Sequence, residues 1–254
     1  MIQQQFLDFS GKCALVTGGR RGLGRAMALA LAETGADVAV VGRHSDCGEL
    51  QDAMKRFKRR FLYLQCDLAD RAARSEIVPE VLREFGRLDI LINNAGNQSC
   101  APLDEYSLEQ WDADWSVMVS AAFELSRQSA PGMRKRRYGK IINMASVSSF
   151  QGARNIIGYS TAKHAVVGLT KCLANELAPY GINVNAIAPG IFRTDMAEDV
   201  FRDAKRAATI QSRIPDGRFG EVADIVGPML FLAGPMSSHV NGHVLLVDGG
   251  WMGR

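Results

Sequence analysis

No uninterrupted apolar run in this chain approaches the ~20 residues needed to cross a bilayer as a helix. The N-terminus, MIQQQFLDFSGK, has no charged segment followed by an apolar stretch, so no secretory leader is read there. The five cysteines (Cys13, Cys47, Cys66, Cys100 and Cys172) form no C-x-x-C and no metal-ligand spacing. Cys13 and Cys66 fall inside apolar runs, where cysteine serves as a small core residue. These absences point to a reduced compartment and a cytoplasmic protein. A net charge of only +3 gives no reason to expect nucleic acid. Two basic runs, 55–60 (KRFKRR) and 134–137 (RKRR), end helical patterns, where cations complement the helix dipole and stay in solvent. His239 and His243 are four apart, but Gly242 and the strand-like run after it keep them off a shared helix face, and no metal site is read.

What is present is an alternation of short apolar runs and amphipathic stretches. The chain has 254 residues, 47% apolar and 22% charged, enough for one large α/β domain with a substantial core. Runs at 12–17 (KCALVT), 37–41 (DVAVV), 61–66 (FLYLQC), 88–92 (LDILI), 140–145 (KIINMA), 182–187 (INVNAI) and 243–247 (HVLLV) read as strands. Helical patterns at 25–34, up to Phe85, at 108–133, from Tyr159 to about 179 and at 221–232 lie between them. No linker, repeat or low-complexity stretch interrupts them. The pattern predicts a single domain over 1–254, a Rossmann-like doubly wound parallel sheet of about seven strands with helices on both faces. Its ligand crevice would run along the carboxyl ends of the strands. The polar, weakly periodic stretch 195–220 reads as part of a substrate loop or lid, at about 191–220, rather than core.

Two segments carry chemistry. The first strand runs into Gly18-Gly19-Arg20-Arg21-Gly22-Leu23-Gly24 and then a helix, the context in which a glycine-rich turn offers free backbone N–H groups to a phosphate. At the end of the second strand a dinucleotide fold often places a carboxylate for the adenosine ribose. Here Gly42 holds that place and Arg43 follows, with Arg21 as a second cation. Two guanidiniums without a carboxylate suit a 2′-phosphate, so NADP(H) is favoured and NAD(H) stays possible; alternatively Arg43 points into solvent. Asp67, past the third strand, could accept from an adenine amine. In 93–96 (NNAG), small residues let a loop press against a flat ligand and asparagines tie down backbone groups; the plain alternative is a turn.

The second segment is 146–163, SVSSFQGARNIIGYSTAK. Tyr159 and Lys163 are one helical turn apart on one face. A free tyrosine, with a pKa of about 10, is a poor acid–base group near neutrality, and a nearby ammonium lowers that value. Ser146, at the end of a strand, could sit beside the phenol. Together they suggest proton transfer at a carbonyl or alcohol oxygen; the plain alternative is a surface tyrosine and lysine on an amphipathic helix.

Taken together these residues resemble the short-chain dehydrogenase/reductase family over nearly the whole chain. The motifs are T-G-x-x-x-G-x-G (Thr17, Gly18, Gly22, Gly24), N-N-A-G (Asn93 to Gly96), Ser146, Y-x-x-x-K (Tyr159, Lys163) and P-G-x-x-x-T (Pro189, Gly190, Thr194). The resemblance implies a hydride-transferring enzyme in which Tyr159 passes the proton. Lys163 would lower the tyrosine pKa and hold the nicotinamide ribose, and Ser146 would orient the substrate oxygen. It implies that Asn93 fixes the cofactor-facing backbone and that Ile191 and Thr194 bind the carboxamide. Cofactor contacts are further implied at Gly18, Arg20, Arg21, Gly22, Leu23, Gly24, Arg43, Asp67 and Leu68, and at Ala95, Gly96, Pro189 and Gly190.

The family usually carries an asparagine where this chain has Met118, and that asparagine is thought to hold a water linking the lysine to solvent. Methionine cannot do so in the same way. Ser120 or a shifted water would substitute, the proton path would differ, or turnover would be slow. The segments SFQGA (149–153), RIPDGRFG (213–220) and VDGGWMGR (247–254) are similar to sugar-acid dehydrogenases of the 2-deoxy-D-gluconate 3-dehydrogenase type. That likeness suggests a small sugar-acid or keto-sugar-acid substrate near Ser146, Ser148, Gln151, Arg154 and Tyr159. Arg154 would pair a carboxylate or face solvent. A homotetramer, or a homodimer, is implied, with Trp251 at a subunit interface. The alternatives are a 3-oxoacyl-type or other carbonyl reductase of the same family, and a cofactor-binding member without turnover. A Rossmann-like methyltransferase has no use for Y-x-x-x-K.

Overall fold

The computed structural model describes residues 4–254; residues 1–3, part of the stretch read for a leader, lie outside the described residues. The first strand, β1 (Cys13–Thr17), is buried at all five positions. It enters α1 (Gly22–Glu33), which begins inside the glycine-rich turn, three residues before the sequence pattern predicts. The chain continues through β2 (Asp37–Gly42), α2 (Gly48–Lys55) and β3 (Phe61–Gln65). In place of one helix ending at Phe85 there are two, α3 (Arg71–Ser75) and α4 (Ile77–Phe85). Asp70 caps the first through the Ala72 and Ala73 amides. Gly86, left-handed at φ 75°, stops the second.

After β4 (Ile90–Asn93) comes α5 (Leu108–Trp115), opened by a reciprocal Ser107–Gln110 capping box. The single long helix expected here is interrupted by a π-helical turn, Ser116–Ser120, before α6 (Ala121–Arg136). Periodicity cannot reveal that insertion, because its cause is tertiary: buried Arg74, paired with Glu124, donates to the Ser116 carbonyl. The rest is β5 (Gly139–Met144), α7 (Ile157–Leu177), β6 (Ile182–Pro189), α8 (Glu198–Arg202), α9 (Ala204–Gln211), α10 (Val226–Ala233) and β7 (Val244–Val247).

The seven strands form one parallel sheet in the order β3-β2-β1-β4-β5-β6-β7. The order reverses between β1 and β4, the place where open α/β sheets bind ligands. Strand alternation divides β1 between two cores. Ala14 and Val16 face α1, α2 and α10, whereas Cys13 and Leu15 face the layer of Val78, Val81, Leu125 and Met133. Covering both faces explains why the strands are continuous apolar runs.

Two expectations are corrected. The stretch 195–220 is not loop alone: it contains α8 and α9, the latter capped by Asp203. Its end is anchored in core, with Ile214 and Phe219 buried and a parallel bridge from Phe192 to Gly220. Nor are the basic runs merely solvated helix ends. Arg59 and Arg60 pair with nearly buried Asp37, and Arg136 lies 3.6 Å from fully buried Asp89. No described helix is long and apolar enough to cross a membrane. Among the described residues no group of three or more His, Cys, Asp or Glu is placed to hold a metal; His239 and His243 are exposed.

Candidate active site

The sheet's carboxyl edge gathers the glycine-rich turn, 93–96, Ser146, the start of α7 and the end of β6. Gly18 and Gly24 of the turn have spatial reasons, and Gly22 a conformational one. A Cβ on Gly18, at φ +64°, would meet Ala95 Cα at 2.9 Å, and one on Gly24 would meet the Gly18 carbonyl oxygen at 2.3 Å. Gly22, at φ +55°, lies beneath Thr194, whose Cγ2 is 3.6 Å from the position of its missing Cβ. Arg21 occupies the N-cap of α1 and makes no side-chain cap, so the first-turn N–H groups of α1 are left for an anion. A cradle with bare glycines and an uncapped helix start fits the diphosphate of a dinucleotide.

Asn93 is buried at the end of β4. Its amide turns away from the crevice, donating to Asn143 Oδ1 at 2.8 Å, and Asn143 donates to Thr170 on α7 at 2.9 Å. The Asn93 side-chain oxygen, Oδ1, is buried without a partner. Asn94 instead ties the glycine turn, donating to the Thr17 and Gly18 carbonyls at 2.8 and 3.2 Å. The Thr17 hydroxyl accepts from the Asn94 and Ala95 amides, both at 3.0 Å. Adjacent residues leaving a strand point to opposite sides, so the motif supplies one structural clamp and one crevice clamp.

Of the cations expected near a 2′-phosphate, Arg43 is exposed, and among the described residues its guanidinium has no ion-pair partner. Arg20 donates to the Asp46 carbonyl at 2.7 Å. Arg21 is engaged by Asp195, at the start of the 195–220 stretch, at 2.8 Å, with both side chains about two-thirds exposed. Asp195 was invisible to sequence reading, standing 174 positions from its partner. Asp195→Asn is therefore expected to release Arg21 and tighten NADPH binding about two- to fivefold, the scale of an exposed pair, with NADH unchanged. Titrating both cofactors against protein fluorescence checks this, and the gain should vanish in high salt. Asp67 spends one carboxylate oxygen on the Ala69 amide at 2.9 Å, and the Leu68 carbonyl accepts from Arg74 at 2.6 Å. At the other wall, Gly190 packs on Asp248, and the Ile191 carbonyl accepts from the Gly220 amide at 2.9 Å.

Ser146, buried, begins the turn after β5; its hydroxyl accepts from the Ser148 amide at 3.1 Å. Ser149 closes a reciprocal cap, accepting from the Ser146 amide at 3.1 Å, and donates to the Lys163 carbonyl at 2.8 Å. It thus ties Ser146 to α7. The S-x-x-S spacing was its sequence signal. Tyr159 and Lys163 share one face of α7, the Lys163 nitrogen 5.5 Å from the Tyr159 ring centre. That ammonium is buried and donates to the Met144 carbonyl at 2.6 Å.

The electrostatics differ from expectation. Burial raises the Tyr159 phenol above its ordinary value, opposed only by the Ser146 hydroxyl. Burial without a carboxylate partner brings the Lys163 ammonium's own pKa down to about 8.

Met118, in the π turn, is buried against Gly96. The place a Gly96 Cβ would take lies 3.6 Å from its sulfur and 4.0 Å from the Lys163 nitrogen. A thioether and the lysine ammonium thus both approach Gly96, and Ser120 is exposed. Arg154 is not on the Tyr159 face. With Leu103, left-handed Asn155 (φ 64°), Ile157, Ser160 and His164 it lines a separate cavity of about 480 Å³. Ser148 and Gln151 stay half-buried on the Ser146 turn. Trp251 stacks within its own chain, 4.3 Å from the Arg213 guanidinium.

The profile of the family described as short chain dehydrogenase matches residues 12–205. A 2-dehydro-3-deoxy-D-gluconate 5-dehydrogenase of Pseudoalteromonas atlantica is 44% identical, covering 97% of this chain and 98% of its own. One from Dickeya dadantii is 41% identical over the full length of both. A gluconate 5-dehydrogenase of Burkholderia cenocepacia, solved with NADP and tartrate, superposes with a TM-score of 0.93 at 34% identity, covering 99% of each chain. The crevice geometry, the profile match and likeness across the whole fold lead to one assignment: this chain belongs to the short-chain dehydrogenase family.

Proposed function

We propose that this protein is an NADP(H)-dependent dehydrogenase that interconverts a hydroxyl and a carbonyl on a small sugar acid, of the 2-keto-3-deoxygluconate or gluconate kind. One observation carries the reading: Ser146, Tyr159 and Lys163 converge at the edge of a glycine cradle built for a dinucleotide. The names of the relatives supply the substrate class and point to carbon 5.

Bound nicotinamide supplies the hydride that the carbonyl carbon gains in the reductive direction. The Ser146 hydroxyl holds the substrate oxygen. The Tyr159 phenol, kept protonated by burial, donates its proton to that oxygen, so the substrate leaves as a neutral alcohol. The Lys163 ammonium, cationic at neutral pH, steadies the phenolate left behind. In oxidation the same groups work in reverse. Gly18, Gly22, Gly24 and the start of α1 hold the diphosphate, and Arg20, Arg21 and Arg43 receive the 2′-phosphate. The segment 191–220 acts as the lid over the substrate, and the enzyme works in the cytoplasm as a homotetramer; exposed Phe123 and Leu108 support assembly.

Met118, packed against Gly96 where the family usually carries an asparagine, favours one second reading, a dinucleotide-binding member without turnover. Pure protein mixed with NADPH and a panel of keto-sugar acids, followed by nicotinamide absorbance, is expected to show NADPH oxidation with a sugar acid that carries a carbonyl at carbon 5. Tight NADPH binding with no carbonyl reduced would sink the catalytic reading. Oxidation with a 3-oxoacyl thioester alone would move the enzyme to the reductase alternative.

A further inference from the structure

Gly42 ends β2 at the carboxyl edge of the sheet, where a side-chain carboxylate would meet the ribose hydroxyls of NAD(H). Its backbone is extended strand rather than left-handed, so chain conformation does not demand glycine there. The demand is spatial. In the β2–β3 register Val40 lies opposite Tyr63 and Gly42 opposite Gln65. Tyr63 and Gly42 therefore address the same face as diagonal neighbours. A Cβ on Gly42 would stand 2.3 Å from the Tyr63 hydroxyl oxygen and 3.1 Å from Cζ.

The phenol is tethered in that place by a hydrogen bond. Its hydroxyl donates to the His44 carbonyl at 2.7 Å, two residues beyond Gly42. Gln65 donates to the Arg43 carbonyl at 3.3 Å, and Arg20 to that of Asp46 at 2.7 Å. The end of β3 thus supports the backbone of the loop that carries Arg43.

We propose that Tyr63 is a cofactor-specificity residue: its ring fills the space any side chain at position 42 would need, and its hydroxyl braces the loop bearing Arg43. The inference rests on the dinucleotide reading above. It adds that discrimination against NAD(H) is enforced from β3 by exclusion, not only by the cations that attract a phosphate.

Dissociation constants for NADPH and NADH, together with Tm, test this on the wild type, Gly42→Asp, Gly42→Asp/Tyr63→Ala and Tyr63→Phe. Gly42→Asp alone is expected to lower Tm, or fail to fold, and to gain less than about threefold in NADH affinity. Adding Tyr63→Ala is expected to restore Tm above the single variant and tighten NADH by about tenfold or more relative to it. A Gly42→Asp protein with unchanged Tm and NADH binding equal to the double variant overturns the proposal. Should neither Asp variant fold, Tyr63→Phe decides: it keeps the ring and loses the brace, and NADPH binding is expected to weaken about two- to fivefold with NADH unchanged. An unchanged NADPH constant overturns the proposal. A wild type that binds neither dinucleotide overturns the underlying reading as well; a wild type that binds NADPH, with variants behaving otherwise, overturns this proposal alone.

Discussion

Tyr159→Phe is expected to lower kcat by about 10²–10⁴-fold, the usual worth of a positioned general acid, with the NADP(H) dissociation constant held within about twofold. The substitution removes one hydroxyl and keeps the ring that packs beside Lys163. Single-turnover kinetics and cofactor titration measure the two quantities separately. A tenfold or greater loss of cofactor affinity would mean that the tyrosine serves the site's shape rather than its proton.

The pH dependence follows from the same two groups. Burial holds the phenol protonated through neutrality, so carbonyl reduction should be flat up to about 8 and fall above it, as Lys163 loses the charge that steadies the phenolate. Alcohol oxidation, which consumes a proton acceptor, should climb with pH instead. Reduction that rose through the same window would place the working acid elsewhere.

Gly24→Ala is the second large effect, and there helix propensity and sterics disagree in sign. An alanine in place of glycine within a helix is normally stabilising by about 0.5–1 kcal/mol. Here the added carbon would lie 2.3 Å from the Gly18 carbonyl oxygen and 2.5 Å from the Asn94 amide nitrogen. Neither neighbour gives way cheaply: one is backbone, and the other clamps the Thr17 and Gly18 carbonyls. The turn must open, and with it the cradle. We expect a fall in Tm and a loss of NADPH affinity of about tenfold or more, equivalent to about 1.4 kcal/mol. Calorimetry with and without NADPH measures both; an alanine variant that binds as well as the wild type would show that the close approach does not matter to the phosphate site.

Much of the fold was legible because parallel strands buried on both faces announce themselves as apolar runs, and seven such runs became seven strands. Helix ends were legible where glycine or a capping side chain stood, as at Gly86. The π turn at Ser116–Ser120 and the helices α8 and α9 were not. The first depends on Arg74 reaching across from another helix, and the others are too short for a period to show.

The candidate site divides along the same line. Sequence alone determined the glycine turn, the placement of Tyr159 and Lys163 on one face, and the lack of a carboxylate at Gly42. Each is a matter of spacing within a few residues, which backbone geometry converts directly into position. Tertiary structure alone decided that Asn94 rather than Asn93 clamps the turn, that Asp195 occupies Arg21, and that Arg154 opens onto a different cavity. It also decided that Tyr63 fills the space above Gly42, and that the Lys163 ammonium donates to the Met144 carbonyl. Those outcomes depend on which distant segments meet and on how much water is excluded where they do, and neither quantity is written in local spacing.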